Sequence, residues 1–160
     1  MLFRSAIGAM LLAFIALIAM ANGMLEAMGG WFGVEQLTLE RVLGTLLQPL
    51  AWALGIPWEE AQLAGSLIGQ KFILNEFVAY VSYSEVAAQL STPSQAIVIF
   101  ALCGFANLSS IAILLGGLGA VAPARRDDIS RYGFRALIAA SLSNLMSAAL
   151  AGFFLSLGGV

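Results

Sequence analysis

Residues 101–119 read ALCGFANLSSIAILLGGLG and lie within the longest uncharged run of the chain, residues 86–124. A membrane-spanning helix needs about 20 apolar residues at about 1.5 Å each. The run is about twice that length, so it must hold either more than one crossing helix or one crossing helix and a leg of a hairpin. Because Thr92-Pro93 suits a helix start, we predict a spanning helix over 93–122, centred near residue 108.

The composition excludes most classes of soluble protein. The chain has 160 residues, of which 61% are apolar and 10% charged, whereas a soluble domain is about 45–50% apolar and about 25% charged. It has no histidine, and therefore lacks the usual general base and the commonest metal ligand. The single Cys103 excludes an intrachain disulfide and is expected to fill the core. The net charge of −2 and the lack of a basic tract argue against nucleic-acid binding.

Two further uncharged stretches predict helices that cross the membrane. Residues 5–25 lie between Arg4 and Glu26 and predict a spanning helix over 5–22. A secretory signal is the alternative, since residues 19–21 (Ala-Met-Ala) resemble a cleavage site, but the stretch exceeds the usual apolar region of about 7–15 residues. The uncharged C-terminal stretch predicts a last spanning helix over 130–157.

Two shorter segments do not fit a simple crossing. Leucine and valine at three-to-four spacing predict an amphipathic helix over 39–54, lying at the membrane interface. Residues 58–89 form two apolar arms of about 10–14 residues, too short to cross a bilayer. Asn75-Glu76 interrupts them, so we predict a re-entrant helical hairpin. Glu59 and Glu60 are expected to be solvated residues at its first turn.

The distribution of cations predicts the orientation of this all-α integral membrane domain, residues 1–160. Positively charged loops face the cytoplasm. Five of the seven lysine and arginine residues fall on one side, whereas the connection 22–60 carries five glutamates against Arg41. We therefore expect a multi-pass protein of the cell inner (plasma) membrane, with loop 123–135 cytoplasmic and the C-terminus outside. The five cations are Arg4, Arg125, Arg126, Arg131 and Arg135.

Polar residues occur at mid-membrane, where hydrocarbon is expected. A carboxylate such as Glu76 costs at least about 2.5–3.5 kcal/mol at that depth, so it is expected to face a functional cavity. Near residue 108, glycine and hydrogen-bonding side chains predict local unwinding of the helix. Asn75 and Glu76 facing Asn107 and Ser110 would form one polar chamber suited to a neutral, hydroxyl-rich solute.

Two other polar features allow structural interpretations. Lys71 could be the partner of Glu76 or of a residue absent from the chain. In the last helix, small residues recur every four positions, a pattern better explained by close helix packing than by a site. That stripe contains Ala136, Ala140, Asn144, Ala148 and Gly152.

Residues 69–80, GQKFILNEFVAY, and residues 101–119 resemble the two signature stretches of the concentrative nucleoside transporter family. The resemblance runs over essentially the whole chain and covers the C-terminal part of the family, from its sixth helix onward. It implies an ion-coupled symporter that forms homotrimers, with a scaffold and a moving transport domain. The chain would be half of an inverted-repeat transporter fold.

The resemblance also implies roles for individual residues. Glu76 would hold ribose hydroxyls, Asn107 and Ser110 would complete the sugar site, and Phe105 would line the same pocket. The family's nucleobase contacts and its ligands for Na+ (or H+) lie mainly in an upstream half to which nothing here corresponds. No resident cofactor is implied. We therefore expect either a fragment of a longer transporter or a split protein that needs a partner chain.

Two other classes of function remain open at this point. A non-transporting membrane subunit, or a remnant that associates with a partner chain, would use the same polar residues only for helix association. An intramembrane enzyme is the weakest alternative, because Glu76 and Ser110 are present without a histidine or an evident nucleophile and base pair. We therefore expect that the protein is not an enzyme.

Overall fold

The structure, a computed structural model, describes residues 2–34, 36–108, 110–111 and 121–158. The regular structure of these residues is helical, which confirms the predicted all-α class. Two 3-10 turns, Ala87–Gln89 and Pro123–Arg125, complete it. The helices are α1 Leu2–Phe32, α2 Leu39–Ala53, α3 Trp58–Ile73, α4 Glu76–Val86, α5 Thr92–Leu102 and α6 Arg126–Leu157.

Helix α1 is longer than its apolar core, since it continues past the expected end at residue 22. It passes through Gly23 and Gly30, although each glycine costs a helix about 1 kcal/mol relative to alanine. The helix ends where Gly33 adopts φ +70°, a left-handed conformation that glycine tolerates best. Backbone conformation, rather than the first polar residues, therefore sets its end.

Helix α2, in the predicted interfacial segment 39–54, packs tightly along α3. A Cβ atom on Gly65 would lie 2.9 Å from the Leu47 carbonyl carbon, and one on Gly69 would lie 2.7 Å from the Leu43 Cβ. Side chains at these two glycines would force the helices apart. This close approach fixes α2 on the first leg of the hairpin.

Helices α3 and α4 occupy the predicted hairpin segment 58–89 and are joined at Leu74-Asn75. Asn75 has extended backbone angles, and its Oδ1 accepts a hydrogen bond from the Val78 N–H at 2.9 Å. This is an N-cap, which satisfies one of the free donors of the first turn of α4. The hairpin packs against α5 through a buried apolar core that includes Leu67, Ile68, Val98 and Leu102.

Helix α5 begins at Thr92 and ends at Leu102, well short of the predicted span 93–122. Residues 103–107 are not helical, and the chain is helical again at Leu108. The predicted unwinding therefore lies within 103–107, whereas residues 112–120 of the predicted span lie outside the described part of the chain. Helix α6 packs against α5 and includes Asp127–Leu157, which is long enough to cross a membrane and contains an 18-residue stretch with a mean hydropathy of 1.7.

Candidate functional site

Glu76 and Asn107 meet between the hairpin and the interrupted helix. The Asn107 Nδ2 donates a hydrogen bond to the Glu76 Oε2 at 2.8 Å, although the residues are 31 positions apart. Asn107 is only 4% exposed, whereas Glu76 is half-buried. The carboxylate is therefore held by a buried amide and remains partly accessible.

Both partners stand at the beginning of a helical segment. Glu76 is the first residue of α4. Asn107 precedes the helical turn at Leu108, and its Oδ1 accepts from the Ser110 N–H at 2.9 Å, as an N-cap does. Helix N-termini carry partial positive charge and favour anions. The N-terminus of α4 therefore provides a favourable environment for the carboxylate in a broken-helix site.

Ser110 and Phe105 lie beside this pair. The Ser110 Oγ is 2.5 Å from the Phe105 carbonyl oxygen and 3.0 Å from the Asn107 Oδ1. Both are acceptors, so the single hydroxyl proton can serve one of them at a time. The Phe105 ring is 76% exposed, and the two residues line an open cavity of about 380 Å³ between the broken segment and α6.

The sequence predicted five site residues, and the structure brings four of them together. We call Glu76, Phe105, Asn107 and Ser110 the Glu76 site. Asn75 is adjacent to Glu76 in sequence, but its side-chain oxygen caps α4 through the Val78 N–H. The position of Asn75 is therefore explained by helix capping.

Lys71 has direct partners that the sequence analysis did not identify. Its side chain is fully buried, and its Nζ donates to the Ala101 carbonyl oxygen at 2.8 Å and also to the Asn144 Oδ1. The direct hydrogen bonds thus go neither to Glu76 nor to a residue absent from the chain. Lys71 reaches these acceptors because the C-terminal turn of α3 packs beside the last turn of α5.

Asn144 is the functional candidate that the sequence analysis missed. It was assigned to the small-residue stripe of the last helix, where close packing was expected. Its Nδ2 donates to the Phe100 carbonyl oxygen at 2.9 Å, in addition to its contact with Lys71. The available signal was an amide interrupting a row of alanines and a glycine at four-residue spacing.

Tyr80 makes a third contact with the end of α5. Its hydroxyl donates to the Ile99 carbonyl oxygen at 3.0 Å and lies 3.2 Å from the Cys103 Sγ. Cys103 is exposed, so the prediction that it fills the core was wrong. The reason is that α5 ends one residue earlier, which places Cys103 in the non-helical segment.

The chemistry of the Glu76 site is hydrogen bonding. A carboxylate accepts through two oxygens, an amide both donates and accepts, and a hydroxyl does either. Across the described ranges, no group of three or more histidine, cysteine, aspartate or glutamate side chains could hold a metal ion. The arrangement suits a ligand that presents several hydroxyl groups.

Comparison with known proteins places these features in one family. Residues 2–152 match the family described as "Na+ dependent nucleoside transporter C-terminus". An uncharacterized transporter of Bacillus subtilis, YutK, is 54% identical over 149 residues, which cover 93% of this chain and 37% of that protein. The nucleoside permease NupC of Helicobacter pylori is 50% identical, covering 94% and 37%. The rat sodium/nucleoside cotransporter 1 is 36% identical, covering 91% and 25%.

The structure is also similar to that of a solved transporter. It superposes on CNTnw in an inward-facing substrate-bound state with a TM-score of 0.92 and 57% identity. The match covers 99% of this chain and 39% of that chain. The chain therefore spans about two fifths or less of the length of each of these relatives.

Proposed function

Because the chain belongs to the concentrative nucleoside transporter family, we propose that it forms the ribose-binding, C-terminal part of an ion-coupled nucleoside symporter. The family, described as Na+ dependent nucleoside transporters, consists of membrane transporters and not of enzymes. The observation that carries the proposal is the 2.8 Å hydrogen bond from Asn107 to Glu76.

That hydrogen bond leaves acceptor capacity on the carboxylate. A carboxylate has about four lone-pair positions on its two oxygens, and Asn107 uses one of them, on Oε2. Glu76 would accept hydrogen bonds from ribose hydroxyls, which are stronger to a charged acceptor than to a neutral one. Asn107 and Ser110 would complete the sugar site, with the exposed ring of Phe105 at its edge.

The remaining parts of the site would come from sequence outside this chain. The resemblance implies that the nucleobase contacts and the ligands for the coupling ion, Na+ (or H+), lie in the upstream half of a full-length transporter. It also implies a homotrimer. A binding site divided between this chain and an upstream half agrees with the fraction of each relative's length that the chain covers, 37% of YutK and 39% of CNTnw.

Movement of the site would follow from the way the helices are joined. The Glu60 Oε2 accepts from the Ser91 N–H at 3.1 Å, which ties the start of α3 to the start of α5. Lys71 ties the other ends of the same helices. The hairpin 58–89 and the segments 93–122 and 130–157 would therefore move together against the scaffold helix 5–22.

This movement would carry nucleoside inward by alternating access. CNTnw has been solved in an inward-facing state, and substituted variants of it in intermediate and outward-facing states. With the orientation predicted from the cations, loop 123–135 would be cytoplasmic and the C-terminus outside, in a multi-pass protein of the inner (plasma) membrane.

Uptake of labelled uridine by the transporter that contains this chain tests the proposal. Glu76→Gln keeps the side-chain shape and removes the charge, so it should weaken ribose binding by about 1.5–3 kcal/mol and raise the uridine KM accordingly. Glu59→Gln is the matched control, because Glu59 is an exposed glutamate in the first turn of the other hairpin helix.

Wild-type uptake in Glu76→Gln would contradict the proposal. If assembly in the membrane were also unaffected, that result would favour the alternative, a non-transporting subunit or remnant that associates with a partner chain.

A further inference from the structure

The interrupted end of α5 has a capping arrangement made by three other helices. A helix end leaves its last carbonyl groups without partners in the helix, and within a membrane such groups must be satisfied by protein. At α5, the Phe100 carbonyl accepts from Asn144 at 2.9 Å and the Ala101 carbonyl from Lys71 at 2.8 Å. The Ile99 carbonyl, which already accepts from the Cys103 N–H at 3.1 Å, also accepts from Tyr80 at 3.0 Å. We call Lys71, Tyr80 and Asn144 the α5 cap.

Lys71 differs from the other two members because it brings a charge. It is the only lysine of the chain, and its side chain is fully buried. An ammonium at the C-terminal, negative end of a helix dipole is favourable. Its hydrogen bonds thus hold a strongly donating group against the last turn of α5.

The contact made by Lys71 runs parallel to the contact at the Glu76 site. Lys71 and Ala101 are 30 positions apart, and Glu76 and Asn107 are 31 positions apart. Both contacts join the hairpin to the interrupted helix, one before its break and one at the last residue of the break. The hydrogen bond from Lys71 to Ala101 therefore fixes the end of α5. From this end, the non-helical segment 103–107 extends toward Glu76.

Asn144 braces the end of α5 from α6. It accepts from Lys71 and donates to the Phe100 carbonyl, and it lies directly against Gly104, where a Cβ would be 2.6 Å from its Cγ. Gly104, the second residue of the broken segment, thus lies directly against α6. Ala101, which accepts from Lys71, is only six positions before Asn107.

We propose that Lys71 is a positioning residue for nucleoside binding, which acts by holding the broken end of α5 so that Asn107 and Ser110 face Glu76. This inference rests on the proposed function of the Glu76 site. It predicts that loss of the ammonium disturbs recognition of the sugar rather than the number of transporters in the membrane.

The test uses Lys71→Met in the assembled transporter, reconstituted in lipid vesicles. The KM and maximal rate are measured for uridine, 2′-deoxyuridine and 3′-deoxyuridine, and the rates are divided by the amount of protein in the membrane. We expect the uridine KM to rise by about threefold to tenfold, which lies within the range by which residues without ligand contact alter coupling between sites. The preference for uridine over the deoxynucleosides should fall, and the maximal rate per molecule should change less than the KM. Glu59→Gln, an exposed change in the first turn of the same helix, should match wild type.

An unchanged uridine KM and an unchanged ribose preference in Lys71→Met would overturn the inference. If that variant fails to accumulate, Lys71→Gln decides, since it also removes the ammonium but keeps an uncharged hydrogen-bond donor at this position. A fall in ribose preference then supports the inference, and a wild-type preference overturns it.

Glu76→Gln in the same assay separates this inference from the proposed function. If Glu76→Gln changes ribose preference and Lys71→Met does not, only the positioning role fails. If Glu76→Gln has no effect on ribose preference, the proposal that the Glu76 site binds ribose is wrong. In that case, amide hydrogen exchange of residues 103–107 tests whether Lys71 holds this segment, independently of nucleoside binding. Faster exchange in Lys71→Met would support the positioning role of Lys71, and unchanged exchange would overturn it.

Discussion

Gly104 lies against Asn144 so closely that a Cβ atom on Gly104 would stand 2.6 Å from the Asn144 Cγ. No ordinary side chain fits at that distance without a shift of one partner. The contact joins the first residue after the Cys103 turn to the middle of α6, next to the Glu76 site. It explains why a helix-weakening residue occurs there without invoking a left-handed backbone, since Gly104 is not among the described residues with positive φ.

Gly104→Ala should therefore be destabilising. The added methyl group must displace Asn144, at a cost of about 1–3 kcal/mol for overpacking, and it should lower both the Tm of the solubilised transporter and the rate of uridine uptake. Gly23→Ala is the control, because nothing lies within 4 Å of its added Cβ in α1. Alanine is the better helix former there, by roughly 1 kcal/mol. A Tm for Gly104→Ala equal to that of Gly23→Ala would show that the contact has no consequence.

Asn107 donates a hydrogen bond to Glu76 through its Nδ2, and its Oδ1 caps the helical turn that follows. Two substitutions distinguish these two roles. Asn107→Ser keeps a side-chain oxygen at the N-cap position but is too short to reach Glu76. We expect a raised uridine KM with a Tm close to wild type. Asn107→Ala loses both tasks, so its Tm should fall further, by the equivalent of about 1 kcal/mol. Measurement of KM by uptake and of Tm by thermal unfolding checks both. A wild-type KM in Asn107→Ser would show that the Asn107 amide does not contribute to nucleoside binding.

Asn75 is predicted to act through the start of α4. Asn75→Ala removes the cap on the Val78 N–H and should destabilise the transporter by about 0.5–2 kcal/mol, whereas Asn75→Ser should retain most of the stability and a uridine KM within about twofold of wild type. Thr38→Ala is the control, since Thr38 caps α2 in the same way, by accepting from the Arg41 N–H at 3.2 Å. It should lower the Tm without changing the KM. A greatly raised KM in Asn75→Ser would instead indicate that Asn75 contacts the nucleoside.

The features that the sequence could predict are those encoded locally. The all-α class follows from composition and from uncharged stretches of membrane length. The break in the helix near residue 104 follows from a glycine and an asparagine with low helix preference. Glu76 and Asn107 were paired because each is the polar interruption of its own apolar segment.

The features that the sequence could not predict depend on how distant helices pack. Lys71 and Asn144 are 73 positions apart, and neither spacing nor periodicity indicates that α6 places this amide beside the end of α5. The length of α1 was underestimated for a different reason. Its glycines are tolerated in the helix, and the residue that ends it, Gly33, is distinguished by its backbone angle, which the sequence does not state.

The burial of Lys71 has a practical consequence for chemical labelling. Since it is the only lysine of the chain and its side chain is fully buried, acylating reagents such as succinimidyl esters find no lysine amine on the folded surface of this segment. Modification of this position would require the hairpin to separate from the end of α5. The rate of acylation at Lys71 would then report how often the hairpin separates locally from the end of α5.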